Sequence, residues 1–184
     1  MRHLVLTLLA ALALAGCGLP TRTTPSAATP ATTIDAGPLV VGSCHTGSDH
    51  GQPLPDPGCT PGALNPDVTQ ATIGDTICRP GWTKTVRPPA SVTDALKRQQ
   101  LAAYGYADQV PRDYEEDHLV SLELGGAPAD PHNLWPEPGA SPNPKDKVEN
   151  ALHAAVCSGR VRLADAQRDI ASDWITAEQK LGLT

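Results

Sequence analysis

Phenylalanine is absent from this 184-residue chain, methionine occurs once, and tryptophan and tyrosine occur three times each. So few large rings suit a small core, and Trp135 and Trp174 read as core residues rather than stacking platforms for bases. Cationic residues are also scarce: 14 Lys and Arg face 20 Asp and Glu, for a net charge of −6. That balance excludes a broadly basic nucleic-acid coat but not a small basic groove. No internal repeat occurs. No C-x-x-C pair occurs, which argues against a structural zinc site. Proline (19) and glycine (16), by contrast, make up about a fifth of the chain, too many turn formers for a helical bundle or coiled coil. Hydrophobic residues at 40% are enough for one modest packed domain.

Arg2 and His3 precede an apolar run from Leu4 to Ala15. A dozen residues fall short of the ~20 needed to span a bilayer but suit the h-region of a secretory signal. The run ends Leu14-Ala15-Gly16-Cys17, which resembles the bacterial lipobox. That resemblance implies a signal peptide over residues 1–16 and lipidation of Cys17. The alternative is a plain signal peptide whose small residues happen to precede a cysteine. Residues 17–43 are dominated by Thr, Pro, Ala, Ser and Gly and read as a tether, because such a segment buries too little apolar surface to offset its ordering entropy. The folded domain is expected over 44–184.

Four further cysteines, Cys44, Cys59, Cys78 and Cys157, point to two disulfides in an exported chain, with three pairings open. Cys44 with Cys59 and Cys78 with Cys157 is preferred. The first pair closes a Gly/Pro-rich loop of about 15 residues, worth roughly 3 kcal/mol in the chain-entropy account. The second staples an early segment to a later helix.

Regular elements are sparse before residue 90, with extended candidates at Ile77–Cys78 and Trp82–Val86. Ser91 and Asp94 form a capping-box variant that opens a helix through Tyr104, closed by Gly105. Leu119 to Leu124 reads as a strand running into Gly125-Gly126, and Asn133-Leu134-Trp135 as a second extended piece stopped by Pro136. Pro144 opens a helix with Val148, Leu152, Ala155 and Val156 on one face and Gly159 at its end. A last helix carries Leu163, Ala166, Ile170 and Trp174.

Charge is segregated along this domain. Six basic residues stand between Arg79 and Arg112 against two acidic ones; seven acidic residues and no Lys or Arg stand between Asp113 and Glu137. Acids that hold a hard cation beside bases that hold phosphates are what a metal-assisted phosphodiesterase needs, although two solvated faces give the same counts.

Within the acidic segment, Glu115-Glu116-Asp117-His118 is followed by Leu119-Val120, Gly125-Gly126, Asn133-Leu134-Trp135-Pro136 and Lys145-Asp146-Lys147-Val148-Glu149-Asn150. Over roughly residues 113–155 this resembles the HNH, or ββα-metal, endonucleases. It is similar in particular to small secreted bacterial proteins sharing the pattern DHLxxLELGG…NLWPEP…KDKVEN. The resemblance implies a small α+β, disulfide-stapled domain with a ββα-metal core over about 113–158 plus additional helices. It departs from the family in having Ser121 where many members carry a proline, and in lacking their zinc-binding cysteine pairs.

The chemistry fits the residue types. A neutral His118 takes a proton from water, and Asp117 ligates a divalent ion, Mg²⁺ or a similar one, at the scissile phosphate. Asn133, as in the family, would hold the histidine loop and orient the His118 imidazole. The helix position that is His or Asn in the family has no unambiguous match. Asn143 is named as the metal ligand, with an ordinary N-cap as its alternative and Asp146 and Asn150 as rivals. His153 reads as a satisfied surface residue, and His45, His50 and His132 as loop residues. The implied activity is endonucleolytic hydrolysis of DNA, or RNA, by an exported, membrane-anchored lipoprotein. The alternative is an inactive HNH-like binding module at the cell surface. The implied partners are a nucleic-acid substrate and a membrane reached through the lipid anchor alone; no residue pattern identifies an inhibitor or immunity partner.

Overall fold

The computed structural model describes residues 39–139 and 141–184; the signal-like segment, Cys17 and the tether up to residue 38 lie outside the described residues. Among the described residues the elements run β1 (Gly47–Asp49), β2 (Gln52–Leu54), α1 (Trp82–Val86), α2 (Ala90–Tyr104), β3 (Tyr114–His118), β4 (Leu134–Pro138), α3 (Lys145–Cys157), α4 (Leu163–Asp173) and α5 (Ala177–Lys180). β1 pairs with β2 and β3 with β4, both antiparallel. The fold class is α+β. Two disulfides staple it, Cys44–Cys59 and Cys78–Cys157, the preferred pairing of the three.

Trp82–Val86, expected to be extended, is helix α1. The chain enters it through Gly81 at φ 81°, a left-handed conformation open to glycine, and leaves it before Pro88 and Pro89. Ile77 and Cys78, also expected to be extended, lie in a turn in which the Cys78 N–H donates to the Ile73 carbonyl at 2.9 Å. Ser91 does not cap α2: Pro89 holds that position and no side chain makes a capping hydrogen bond there, while Gly105 closes the helix at φ 61° as expected. The β1–β2 hairpin and α5 have no counterpart in the sequence reading, because three- or four-residue elements carry no readable period.

The largest correction concerns residues 119–124. The strand ends at His118, one residue before the expected one was to begin, and Leu122–Leu124 is a single 3₁₀ turn. The apolar run arises from burial on two sides. Leu119 enters a small core with Tyr104 and Trp135, whereas Val120 and Leu124 enter the main core with Leu152, Val156, Ile170 and Trp174. Each such buried aliphatic side chain is worth roughly 1.5–3 kcal/mol, so the segment anchors both cores without strand pairing. Its backbone groups are satisfied by a side chain instead. Asn133 Oδ1 accepts the Val120 N–H at 2.9 Å, and Asn133 Nδ2 donates to the carbonyls of Val120 and Ala127, both at 3.0 Å. Gly126 is required here, because a Cβ would stand 1.7 Å from the Val120 carbonyl oxygen.

β4 runs through Pro136, which had been expected to stop it. The strand pairs on one side only, with Glu116 opposite Pro136 and His118 opposite Leu134. A proline on an unpaired edge removes no ladder bond. α3 and α4 follow the expected apolar faces, and Trp174, 2% exposed, donates from Nε1 to the Pro53 carbonyl at 3.0 Å.

Candidate active site

His118 closes β3 with 8% of its surface exposed. Its Nε2 lies 2.9 Å from the Pro128 carbonyl oxygen. A carbonyl only accepts, so Nε2 carries the proton and Nδ1 keeps its lone pair. Burial lowers the imidazole pKa below its ordinary value, against the opposing pull of the Pro128 hydrogen bond and Asp117. The ring is therefore neutral at pH 7, as a base must be. The imidazole is oriented by Pro128; Asn133 acts on the preceding loop backbone instead.

Asp117 precedes it and points toward α3. Its Oδ2 accepts the Lys145 ammonium at 2.8 Å and the Trp135 indole N–H at 3.2 Å. Lys145 is fully buried in the first turn of α3. Its other two protons go to the His118 carbonyl at 2.7 Å and to Glu149 Oε1, one helical turn along. Burial alone would favour the neutral amine, but Asp117 and Glu149 outweigh it and hold the Lys145 pKa above the ordinary lysine value. One ammonium thus joins the end of β3 to the start of α3.

Asn143 performs the same joining with an amide. Its Oδ1 accepts the Lys145 N–H at 2.8 Å while Asp146 Oδ2 accepts the Asn143 N–H at 3.0 Å, a reciprocal cap on α3. Its Nδ2 donates to Glu115 Oε2 at 3.0 Å and Glu137 Oε2 at 3.1 Å. The oxygen assigned to a metal in the sequence reading is thus engaged by the helix, and the nitrogen holds two carboxylates together. Asn150 donates to the Asp146 carbonyl on an exposed face.

Glu115, Asp117, Asp146 and Glu149 line a pocket of about 110 Å³ together with His118. Asp117 and His118 therefore meet at one cavity. Carboxylates outnumber cations around it, and burial raises the pKa of several of them. Burial, then the Asp117 charge, pushes Glu137 up to about 8; burial pushes Glu149 up to about 7 against the pull of Lys145. Glu116, whose two oxygens are buried without a hydrogen-bond partner, is pushed up to about 8, chiefly by burial. Glu115 is raised for the same first cause. A group of acids short of counter-charge fits a hard divalent cation.

No family model, curated protein or solved structure matches this chain.

A different donor set lies at the second disulfide. Cys78, Cys157 and His153 place donor atoms within 4.8 Å of one another and as a Cys–His–Cys group could hold a metal ion. The two sulfurs are bonded to each other, so they become ligands only after reduction. His153, expected to be a satisfied surface residue, is partly buried, with Nε2 at 2.9 Å from the Ile77 carbonyl and Nδ1 at 3.2 Å from Glu123. His132 pairs with Asp130 and His50 with Asp49, while His45 lies at a separate pocket, and none of the three lines the His118 cavity.

Sequence reasoning missed Lys145, Glu149, Glu137 and Glu115 as members of the site. A signal for the first two was present: Lys145 and Glu149 stand four apart at the opening of an amphipathic helix, a spacing that brings them together. Glu115 lies two residues before Asp117 and shares its side of an extended strand. Glu137 stands in the NLWPEP part of the pattern without a role read for it; it reaches the site through the β3–β4 register opposite Glu115.

Proposed function

We propose that this chain is an exported, metal-dependent phosphodiesterase that hydrolyses DNA or RNA, anchored by a lipid on Cys17. The observation that carries the reading is a buried neutral imidazole, fixed through Nε2 on Pro128, in one pocket with Asp117 and further carboxylates. The two disulfides fit an oxidising compartment, and among the described residues no helix is long and apolar enough to cross a membrane.

In this reading His118 Nδ1 takes the proton of the attacking water while the Pro128 carbonyl holds the imidazolium that forms. Asp117, Glu115 and Asp146 would hold Mg²⁺ or a similar ion, which when bound supplies charge neutralisation at the phosphate and leaving oxygen. Lys145 fixes the Asp117 side chain against the start of α3. The HNH likeness of the motif agrees with the observed order of two antiparallel strands followed by a helix, but the site chemistry carries the assignment.

The test is cleavage of plasmid DNA and of bis(p-nitrophenyl) phosphate by the purified protein, with Mg²⁺ and with EDTA. Metal-dependent cleavage that His118→Ala removes supports the reading; no cleavage under any divalent metal rejects it. One observation favours a second reading, an inactive binding module: the Lys145 ammonium already neutralises Asp117 Oδ2 at 2.8 Å. That module would bind nucleic acid or an envelope polymer without cutting it.

A further inference from the structure

The pocket has a second wall, formed by Thr83 of α1, by Arg87 directly after that helix, and by Ser121. Ser121 stands just before the 3₁₀ turn Leu122–Leu124, against which α1 packs. It is 3% exposed, and its Oγ has no hydrogen-bond partner. A hydroxyl buried in that condition is destabilising, so its place at a cavity wall calls for a group that the protein does not itself supply. This is also where the chain departs from the proline of many HNH sequences.

Two more unengaged donors stand beside it. Among the described residues, neither the Arg87 guanidinium nor Thr83 Oγ1 makes a hydrogen bond or ion pair. The acids across the cavity are otherwise committed. Lys145 holds Asp117 and Glu149, Asn143 holds Glu115 and Asp146, and His153 faces Glu123 at 3.2 Å. The backbone of Arg87 is fixed: its N–H donates to the Thr83 carbonyl at 3.0 Å, and Pro88 and Pro89 follow. Thr83 lies four residues earlier on the same side of the helix.

We propose that Thr83, Arg87 and Ser121 form an oxyanion half-site that takes the non-bridging oxygens of a phosphoryl group. The inference rests on the phosphodiesterase reading and deepens it by naming the side chains that hold the phosphate. A guanidinium fork and two hydroxyls from separate segments suit a tetrahedral anion with several acceptor oxygens. The carboxylates and His118 then face it from the other wall, where a cation and a water are needed.

Inorganic phosphate and bis(p-nitrophenyl) phosphate distinguish a free anion from a diester. Phosphate binding to the purified protein is titrated in Mg²⁺ and again in EDTA, for wild type, Arg87→Gln, Ser121→Ala and Thr83→Val. Saturable binding is expected, weakened about tenfold or more by Arg87→Gln and about three- to tenfold by each hydroxyl deletion, with KM for the diester rising in the same order. Arg87 is exposed, so its variant reports even if Ser121→Ala unfolds. Absence of saturable binding, or variant affinities equal to wild type in both buffers, overturns the half-site. Phosphate binding with the expected variant pattern but no diester cleavage leaves the half-site standing and removes the nuclease reading. Diester cleavage with unchanged KM in all three variants does the reverse.

Discussion

Lys145→Met removes the ammonium that three acceptors share while keeping an unbranched apolar stem in its place. The His118 carbonyl, Asp117 Oδ2 and Glu149 Oε1 then lose their donor at once, inside a fully buried position. Breaking a buried ion pair by deleting one partner costs about 3–5 kcal/mol, because the remaining charge stays buried without compensation. For a domain of this size that is a fall in Tm on the order of 10 °C. The loss should also depend on pH. Glu149 has a folded pKa already raised to about 7, and without Lys145 it rises further. Lowering the pH lets folding take up a proton there, so the deficit against wild type shrinks from pH 8 to pH 5.5. Urea denaturation at both pH values measures it. Lys145→Met/Glu149→Gln should recover part of the loss at pH 8, since a neutral amide replaces the orphaned carboxylate. A loss below about 1 kcal/mol at pH 8, or an equal loss at both pH values, would refute the idea that this lysine is the local counter-charge.

Four further outcomes are expected. Glu116, Glu137 and Glu149 have folded pKa values raised above that of an unfolded glutamate, so the folded state binds more protons between about pH 4.5 and 8 and stability falls as pH rises through that window; Tm against pH reads this. Below about pH 6.5 the lowered pKa of His118 opposes that trend, because the unfolded imidazole binds the extra proton; a saturating divalent cation should flatten the slope at pH 8. Glu116→Gln mimics the protonated acid, so it should leave Tm nearly unchanged near pH 4, where folded and unfolded wild type both hold the proton, and raise it increasingly from about pH 5 to pH 8. His118→Ala should lose at least about a hundredfold in diester hydrolysis with the fold intact by circular dichroism, and full activity in that variant would remove His118 from the reaction.

The sequence showed those features of the fold that repeat with a period or close a loop. The apolar faces of α3 and α4, the Gly105 stop and the preferred disulfide pairing were all readable. What misled was burial without period. Leu119 to Leu124 is apolar because it lies between two cores, not because it pairs, and Trp82–Val86 is rich in aromatic and β-branched residues although Gly81 and Pro88 frame a helical turn. The Asp117-His118 pair was legible because it is local in the chain. The groups that act on it from a distance were not: Pro128 on the imidazole, Lys145 on Asp117 and Asn143 between Glu115 and Glu137 are set by tertiary register.

That register shows why site and fold cannot be separated in this molecule. Few apolar contacts tie α3 to the β3–β4 pair; the junction is made by Lys145 and Asn143, two polar side chains at the start of the helix. The same two side chains restrain the acids that would receive a cation. A carboxylate group short of counter-charge destabilises the folded chain, and each neutralising contact offsets part of that cost while fixing a candidate ligand in place. Cation binding would complete the neutralisation, so metal affinity and folding stability are linked through the same carboxylates.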